Sequence, residues 1–311
     1  MKATKISLFG VATKEVGAGH VMRLLSIADD LNQFGHRSTF VGLLQKDTWY
    51  EAEFKRRPYI EFSTPETICR ESVVLIDCYD LNAINQIINF PWKRKIQLID
   101  SFSQSLGSKV DIRIDFSMNA LSMSNPQAGD YSGLKYTPIR RINRDKAIGA
   151  PTNYDILVAS GGTSNRDFLS KIHEFLHGSN LKVAYIGDSD LSLCSLSECH
   201  IYSSGSDYDL LLSNSKILVA PCGISVWEAI SIGVSVITFP IYLNQFSFFK
   251  SLRNLQLVFG DSNLSNVNKA LFFRILDDAF DAHKRPNFNP SEYLGVSLIS
   301  KIIRDLVKDL N

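Results

Sequence analysis

A histidine stands at the predicted start of a helix, directly after a glycine-rich loop. The loop contains Gly17 and Gly19, and His20 follows it. Glycines let the backbone come close to a ligand, and a helix N-terminus favours negative charge. The helix dipole is expected to lower the pKa of His20 and keep its ring neutral, which suits a general base near pH 7. A tight turn with His20 as an ordinary first-turn residue explains the same pattern equally well.

A second glycine segment opens a predicted helix in the other half of the chain. Gly223 and Ser225 follow an apolar strand and could present amides and a hydroxyl to a phosphate. Glu228 lies three residues after Ser225, where its carboxylate could accept hydrogen bonds from a ribose. A capping box, with Ser225 as the cap and Glu228 at the third helical position, needs no ligand and is favoured by the spacing alone. Trp227 is expected in the core.

Polar residues also follow other predicted strands. Asn244 and Gln245 could bind a substrate amide or could be ordinary loop residues. Asp77 and Asp100 each follow an apolar strand and could meet. We find no Asp-x-Asp pair or His/Cys cluster at a position where it could hold a metal. We therefore expect neither a metal nor another cofactor.

Two rounds of strand and helix must position these residues. Short, mostly apolar segments predict strands of a parallel sheet that is buried on both faces, at residues 6–9, 38–41, 73–76, 96–99, 156–159, 183–186, 216–220 and 234–239. Helical periodicity between them predicts an α/β fold made of two doubly wound domains. Residues 116–153 are rich in Gly and Pro and place the domain boundary between residues 149 and 150. The amphipathic helix Val296–Leu310 is expected to pack back on the N-terminal domain.

Composition narrows the class of protein. The chain has 311 residues, 21% charged residues and a net charge of +1, so no overall basic field favours nucleic acid as a partner. No apolar segment approaches the roughly 20 residues that span a bilayer. The five cysteines, an odd number, and the lack of a long apolar leader favour a reduced cytoplasmic compartment. The oligomeric state stays open.

Taken in order along the chain, several short motifs resemble those of one family, the UDP-sugar hydrolases of pseudaminic acid biosynthesis. These enzymes are GT-B relatives of the lipid II N-acetylglucosaminyltransferase. The matching segments cover residues 17–23, 77–79, 133–140, 161–163, 225–228 and 244–245. The resemblance implies a GT-B architecture, with two Rossmann-like domains facing each other across a cleft. It also implies a UDP-sugar substrate, attack by water at the anomeric carbon, and release of UDP with inversion.

The resemblance assigns a role to each matching residue. It implies that His20 is the catalytic base of domain 1–149, and that domain 150–311 binds UDP. The residues expected on the sugar side are Gly17, Gly19, Arg23, Asp77, Tyr79, Asn244 and Gln245. The residues expected to bind the nucleotide are Gly161, Gly162, Thr163, Gly223, Ser225 and Glu228.

Departures from the family pattern keep two alternatives open. Residues 9–13 lack the family's arginine and acidic residue, Ser101 follows Asp100 where the family often has a second aspartate, and Ser164-Asn165 replaces another acidic position. Most of these positions lie near the expected sugar side. The first alternative is a GT-B glycosyltransferase with a glycan acceptor, and the second is an inactive nucleotide-sugar binding protein. A basic, aromatic segment at residues 49–57 could dock on a membrane, but we interpret it as a solvated helix end.

Overall fold

A computed structural model describes residues 4–13, 15–100, 103–117, 130–139, 154–161, 165–187, 199–203, 207–281 and 295–311. The chain divides into two compact units. Unit 1 comprises Met1–Arg140 and Ser291–Asn311, and unit 2 comprises Arg141–Pro290. The division falls at Arg140, and the predicted boundary at residues 149 and 150 lies outside the described residues.

Unit 1 contains a seven-stranded parallel sheet and a small two-stranded one. Its strands are β1 (Lys5–Phe9), β2 (Val11–Ala12), β3 (Ser38–Phe40), β4 (Leu43–Leu44), β5 (Ile60–Phe62), β6 (Ser72–Ile76), β7 (Arg94–Ile99), β8 (Ile112–Asp115) and β9 (Tyr131–Ser132). The large sheet has the order β5-β3-β1-β6-β7-β8-β9, and β2 pairs with β4. The chain therefore adds β3 and β5 on one side of β1 and then β6 to β9 on its other side. This reversal makes the gap between β1 and β6 the topological switch point.

The helices of unit 1 are α1 (Gly19–Gln33), α2 (Trp49–Lys55), α3 (Pro65–Ile68), α4 (Leu81–Ile88) and, at the end of the chain, the helix Gly295–Asp309. This last helix joins the core of unit 1 through residues spaced one helical turn apart, including Val296, Ile299 and Ile303. A Cβ at Gly295 would lie 2.0 Å from the carbonyl oxygen of Thr137, so only glycine allows this close approach.

The segment around residues 131–139 differs from the sequence prediction. We expected an interdomain linker, but Tyr131–Ser132 pairs with β8 as the last strand of the unit 1 sheet. Tyr136 and Ile139 are buried. Tyr136 belongs to the core of unit 1, so the glycine and proline nearby mark turns rather than a linker.

Unit 2 repeats the doubly wound pattern. Its strands are β10 (Tyr154–Ala159), β11 (Val183–Gly187), β12 (Cys199–Ser203), β13 (Ser215–Pro221) and β14 (Ser235–Phe239), in the order β12-β11-β10-β13-β14. Its helices are α5 (Arg166–Leu176), α6 (Tyr208–Ser213), α7 (Ile224–Ile232), α8 (Leu243–Asn254) and α9 (Lys269–Asp281); the C-terminal helix of unit 1 is α10. The switch point of this sheet lies between β10 and β13. Among the described residues, no helix is both long enough and apolar enough to cross a bilayer.

Candidate active site

The glycine loop after β1 leads into α1 at the switch point of unit 1. Gly17 has a φ of +82°, a conformation that favours glycine, and its amide donates to the carbonyl of Thr13 at 2.8 Å. Ala18 is the N-cap of α1, and no side chain caps the helix there. A Cβ at Gly19 would meet nothing within 4 Å, so packing does not require glycine at this position. His20 is the second residue of the helix.

His20 is buried and has no hydrogen-bond partner. His20 is only 3% exposed, and neither of its ring nitrogens has a hydrogen-bond partner in the described structure. The imidazole meets the ring of Tyr79 edge to face, with centroids 3.8 Å apart and an interplanar angle of 86°. Buried polar atoms without partners are rare in folded proteins, and a catalytic role is one explanation for them.

Burial is the main reason why His20 stays neutral. Desolvation, followed by the positive charge of Arg23, lowers the pKa of His20 to about 4, and the carboxylates of Asp77 and Asp100 only partly oppose this. The ring is neutral, as predicted from the sequence, but the main cause is burial and not the helix dipole. Since a base is most effective with a pKa near the working pH, His20 is a weak base in this arrangement.

Arg23 and Asp77 form a buried ion pair. Nε and Nη2 of Arg23 donate to the two carboxylate oxygens of Asp77 at 2.8 and 2.7 Å. The guanidinium also lies over the ring of Phe116, with its carbon 5.4 Å from the ring centroid. Both charged side chains were predicted to lie on the sugar side, and in the structure they bind each other. The pair follows from the sheet order, because β6 lies next to β1 and carries Asp77 directly after its last residue.

Asp100 completes this cluster, although it was not among the site residues predicted from the sequence. The hydroxyl of Tyr79 donates to Oδ2 of Asp100, and Nη2 of Arg23 lies 3.4 Å from the same oxygen. Asp100 follows β7, the neighbour of β6, so the strand ends bring the two aspartates together. The position of the two aspartates directly after successive apolar strands was the sequence signal that could have identified Asp100 as a site residue. Two carboxylates share one guanidinium, so these side chains carry net negative charge.

Unit 2 places two of the predicted glycines at its own switch point. Gly161 follows β10 with a φ of +80°, and a Cβ there would lie 3.7 Å from the Pro221 ring. Gly223 follows β13, the neighbour of β10. The carboxyl ends of such adjoining strands are where open α/β sheets bind ligands. Gly162 and Thr163 lie outside the described residues.

The capping box predicted from spacing is wrong. Helix α7 begins at Ile224 with Gly223 as its N-cap, and no side chain caps it. Ser225 is therefore the second helical residue and Glu228 the fifth, whereas a capping box needs the serine at the N-cap and the glutamate at the third position. Glu228 is only 4% exposed. Trp227 is buried, as expected for a core residue.

Gln245 has a local role at the start of α8. Its Oε1 accepts a hydrogen bond from the amide of Ile241 at 2.8 Å, and Tyr242 is the N-cap without a side-chain cap. The oxygen of the Gln245 amide therefore stabilises the loop that precedes the helix. Asn244 lies in the same first turn, and its side chain is outside the described part of the structure.

No group of three or more His, Cys, Asp or Glu side chains that could hold a metal ion exists among the described residues. Asp77 and Asp100, the two carboxylates that the sequence analysis considered as a pair, instead share Arg23.

Neither a protein-family model nor a curated protein matches the chain. Solved structures do match it over nearly its whole length. A spinosyn rhamnosyltransferase complexed with thymidine diphosphate is 11% identical, covers 99% of this chain and 100% of its own, and has a TM-score of 0.61. A UDP-glucosyltransferase from Polygonum tinctorium is 11% identical, with 98% and 100% coverage and a TM-score of 0.58. A putative UDP-N-acetylglucosamine 2-epimerase from Listeria monocytogenes is 13% identical, with 98% coverage of both chains and a TM-score of 0.59.

These proteins differ in activity, and the likeness at such low identity is one of fold. Their common architecture has two α/β domains with parallel sheets, as do units 1 and 2 here. The chain has the GT-B fold.

Proposed function

We propose that this chain is an enzyme that transfers the glycosyl group of a nucleoside diphosphate sugar to a hydroxyl acceptor, with His20 as the general base. The observation that carries the proposal is the buried imidazole of His20, which has no hydrogen-bond partner and lies at the switch point of unit 1. A neutral ring nitrogen can take the proton of an attacking hydroxyl. The glycosyltransferases among the solved structures of the same fold support transfer as the reaction.

The charge around His20 suits this chemistry. Substitution at an anomeric carbon passes through a transition state with oxocarbenium character, which is positively charged. The net negative charge of Arg23, Asp77 and Asp100 would stabilise that charge and the protonated imidazole. The same negative charge would repel a diphosphate. Unit 1 is therefore the better place for the reacting sugar than for the phosphates.

Unit 2 is better suited to bind the diphosphate. The first turn of α7 has no side-chain cap, and it follows Gly223 at the end of β13. Uncapped amides and the helix dipole together favour an anion at such a position. Gly161 follows the adjoining strand β10 and has no side chain, so a ligand can come close to its backbone. Glu228 in the same helix is our candidate for binding the ribose, as the family resemblance implies.

Hydrolysis, with water as the acceptor, is the second candidate. It is favoured by the burial of both His20 ring nitrogens, since water is the smallest hydroxyl compound that could reach them. The resemblance to UDP-sugar hydrolases supports the same reaction, with a di-N-acetylated deoxysugar as the substrate. The segment at residues 49–57 also does not favour transfer to a membrane-bound acceptor. Its three basic residues, Lys55, Arg56 and Arg57, each pair with an acidic residue at 2.5–2.8 Å and so do not form a basic patch.

Product analysis separates the two reactions. A panel of UDP- and TDP-sugars is incubated in ¹⁸O-labelled water, with and without a mixture of hydroxyl acceptors, and the products are identified by mass spectrometry. Transfer predicts a glycosylated acceptor and little turnover without it. Hydrolysis predicts free sugar that carries the heavy oxygen. Label in the released nucleotide would mean cleavage at phosphorus and would contradict both proposals.

The His20→Asn variant tests the base. Loss of a positioned base typically lowers the rate on the order of 100- to 10,000-fold, while nucleotide affinity should stay unchanged because the diphosphate is assigned to unit 2. His36→Asn is a suitable control, since His36 lies beyond the other end of α1. Activity within a few-fold of wild type in His20→Asn would make His20 a structural residue.

A further inference from the structure

His20 is oriented by an aromatic contact instead of a hydrogen bond. Neither ring nitrogen has a partner in the described structure, and the imidazole meets the Tyr79 ring edge to face at 3.8 Å. A general base must present its nitrogen to the attacking group in a narrow range of positions and angles. The orientation of His20 therefore depends on what holds Tyr79.

Asp100 holds Tyr79 through its hydroxyl. The Tyr79 hydroxyl donates a hydrogen bond to Oδ2 of Asp100. Burial, and then the negative charge of Asp100, raise the pKa of Tyr79 well above its ordinary value, so the hydroxyl keeps the proton that it donates. A hydrogen bond to an ionised acceptor is about twice as strong as one between neutral groups. The link between Tyr79 and Asp100 is thus strong enough to fix the ring.

Asp100 is itself held at both carboxylate oxygens. The amide of Ser103 donates to Oδ1 at 3.2 Å, and the amide of Asp100 donates to Oγ of Ser103 at 3.1 Å. Nη2 of Arg23 lies 3.4 Å from Oδ2. A carboxylate with both oxygens engaged has little freedom to rotate, so it provides a fixed point for the tyrosine.

We propose that Asp100 is a positioning residue for His20 and acts through the hydroxyl of Tyr79. Its effect on turnover rests on the proposed role of His20 as the base, whereas its effect on ring orientation does not. In this arrangement Asp77 balances the charge of Arg23, and Tyr79 and Asp100 fix the imidazole. No carboxylate of the described structure hydrogen bonds to the imidazole itself.

The first test needs no substrate. Proton NMR of the His20 and Tyr79 ring protons reports their edge-to-face contact through its ring-current shift. Asn at position 100 keeps an oxygen for the Ser103 amide but offers Tyr79 only a neutral partner. We expect changes of the same sign in Asp100→Asn and Tyr79→Phe, and no additional change at His20 in the double variant. Melting temperatures show whether each variant is folded.

Asp115→Asn is the matched control. Asp115 is the last residue of β8, the neighbour of β7, and its Oδ1 accepts from the amide of Ser117 at 2.8 Å. This contact survives in Asn, so the His20 shifts should equal those of wild type. The proposal is overturned if Asp100→Asn leaves the His20 shifts unchanged. It is also overturned if Asp100→Asn has its full effect in the Tyr79→Phe background, since Asp100 would then act through Arg23.

Kinetics provide the second test, with the sugar of the UDP- and TDP-sugar panel that wild type turns over fastest. Misplacement of a catalytic group by about 1 Å can cost on the order of 100-fold in rate, so Asp100→Asn should lower kcat by about 10- to 100-fold with KM nearly unchanged. The loss should disappear in the Tyr79→Phe background, and an equal loss there would contradict the proposal. If wild type turns over no sugar, the proposed function fails, and the NMR result still decides the role of Asp100.

Discussion

Acid should destabilise unit 1 because it contains a buried neutral histidine. In the folded chain the pKa of His20 lies at about 4, below its ordinary value of 6.5. Below pH 6.5 the unfolded chain binds a proton that the folded chain rejects, so the free energy of unfolding falls as the pH falls. The contribution of His20 is fully present above pH 6.5 and is lost progressively down to about pH 4.

The size of the effect follows from these two pKa values. One pKa unit corresponds to about 1.4 kcal/mol, so the complete loss is about 3 kcal/mol, and about 2 kcal/mol of it is expected by pH 5. His20 is almost fully buried, so solvent screening does not reduce this figure. Burial also lowers the pKa of His36 and of His173, so these groups add to the pH dependence of the whole chain. Only the difference between wild type and a His20 variant therefore measures the effect.

Urea denaturation at pH 8 and pH 5 measures the contribution of His20 to the free energy of unfolding. In a Trp227→Phe background the remaining tryptophans, Trp49 and Trp92, both lie in unit 1, so fluorescence follows that unit alone. The free energy of unfolding should fall by about 2 kcal/mol more in this background than in its His20→Asn derivative. His173→Asn, in unit 2, is the control and should leave the transition of unit 1 unchanged. Equal pH dependence with and without His20 would refute the buried neutral imidazole, and with it our case for the base.

Three further predictions concern the charged groups. Asp77→Asn should lower the free energy of unfolding by about 3 kcal/mol, because it leaves the buried Arg23 without its main partner. Asp29→Asn, which affects a partly exposed pair, should cost far less, and similar losses in denaturation curves would contradict this reasoning. Glu228→Ala should weaken UDP binding by about 1–3 kcal/mol in calorimetry, and unchanged affinity in a folded variant would remove Glu228 from the nucleotide site. Turnover should persist in excess EDTA, since Asp77 and Asp100 already share Arg23; complete loss that magnesium or manganese restores would require another mechanism.

The strands and helices that build both sheets could be predicted from local patterns. Strands buried on both faces of a parallel sheet appear as continuous apolar segments, and residues 73–76 and 216–220 are examples that the structure extends by only a residue or so to Ser72–Ile76 and Ser215–Pro221. The amphipathic C-terminal helix was equally clear, since one face of a 15-residue helix is apolar. Short or polar strands such as Ile60–Phe62 and Tyr131–Ser132 show no such pattern. They form because pairing with a neighbouring strand stabilises them more than their own composition does.

For the candidate site, too, some features follow from local sequence and others from contacts between distant segments. Local sequence was enough to predict which residue types follow the strands: a glycine loop with His20 after β1, Asp77 after β6 and Asp100 after β7. The tertiary structure makes β1, β6 and β7 neighbours, and for this reason Arg23 pairs with an aspartate 54 residues away. It also decided that His20 is neutral mainly through burial. Side-chain type is a local property, whereas burial, charge pairing and pKa depend on which distant segments the fold brings together.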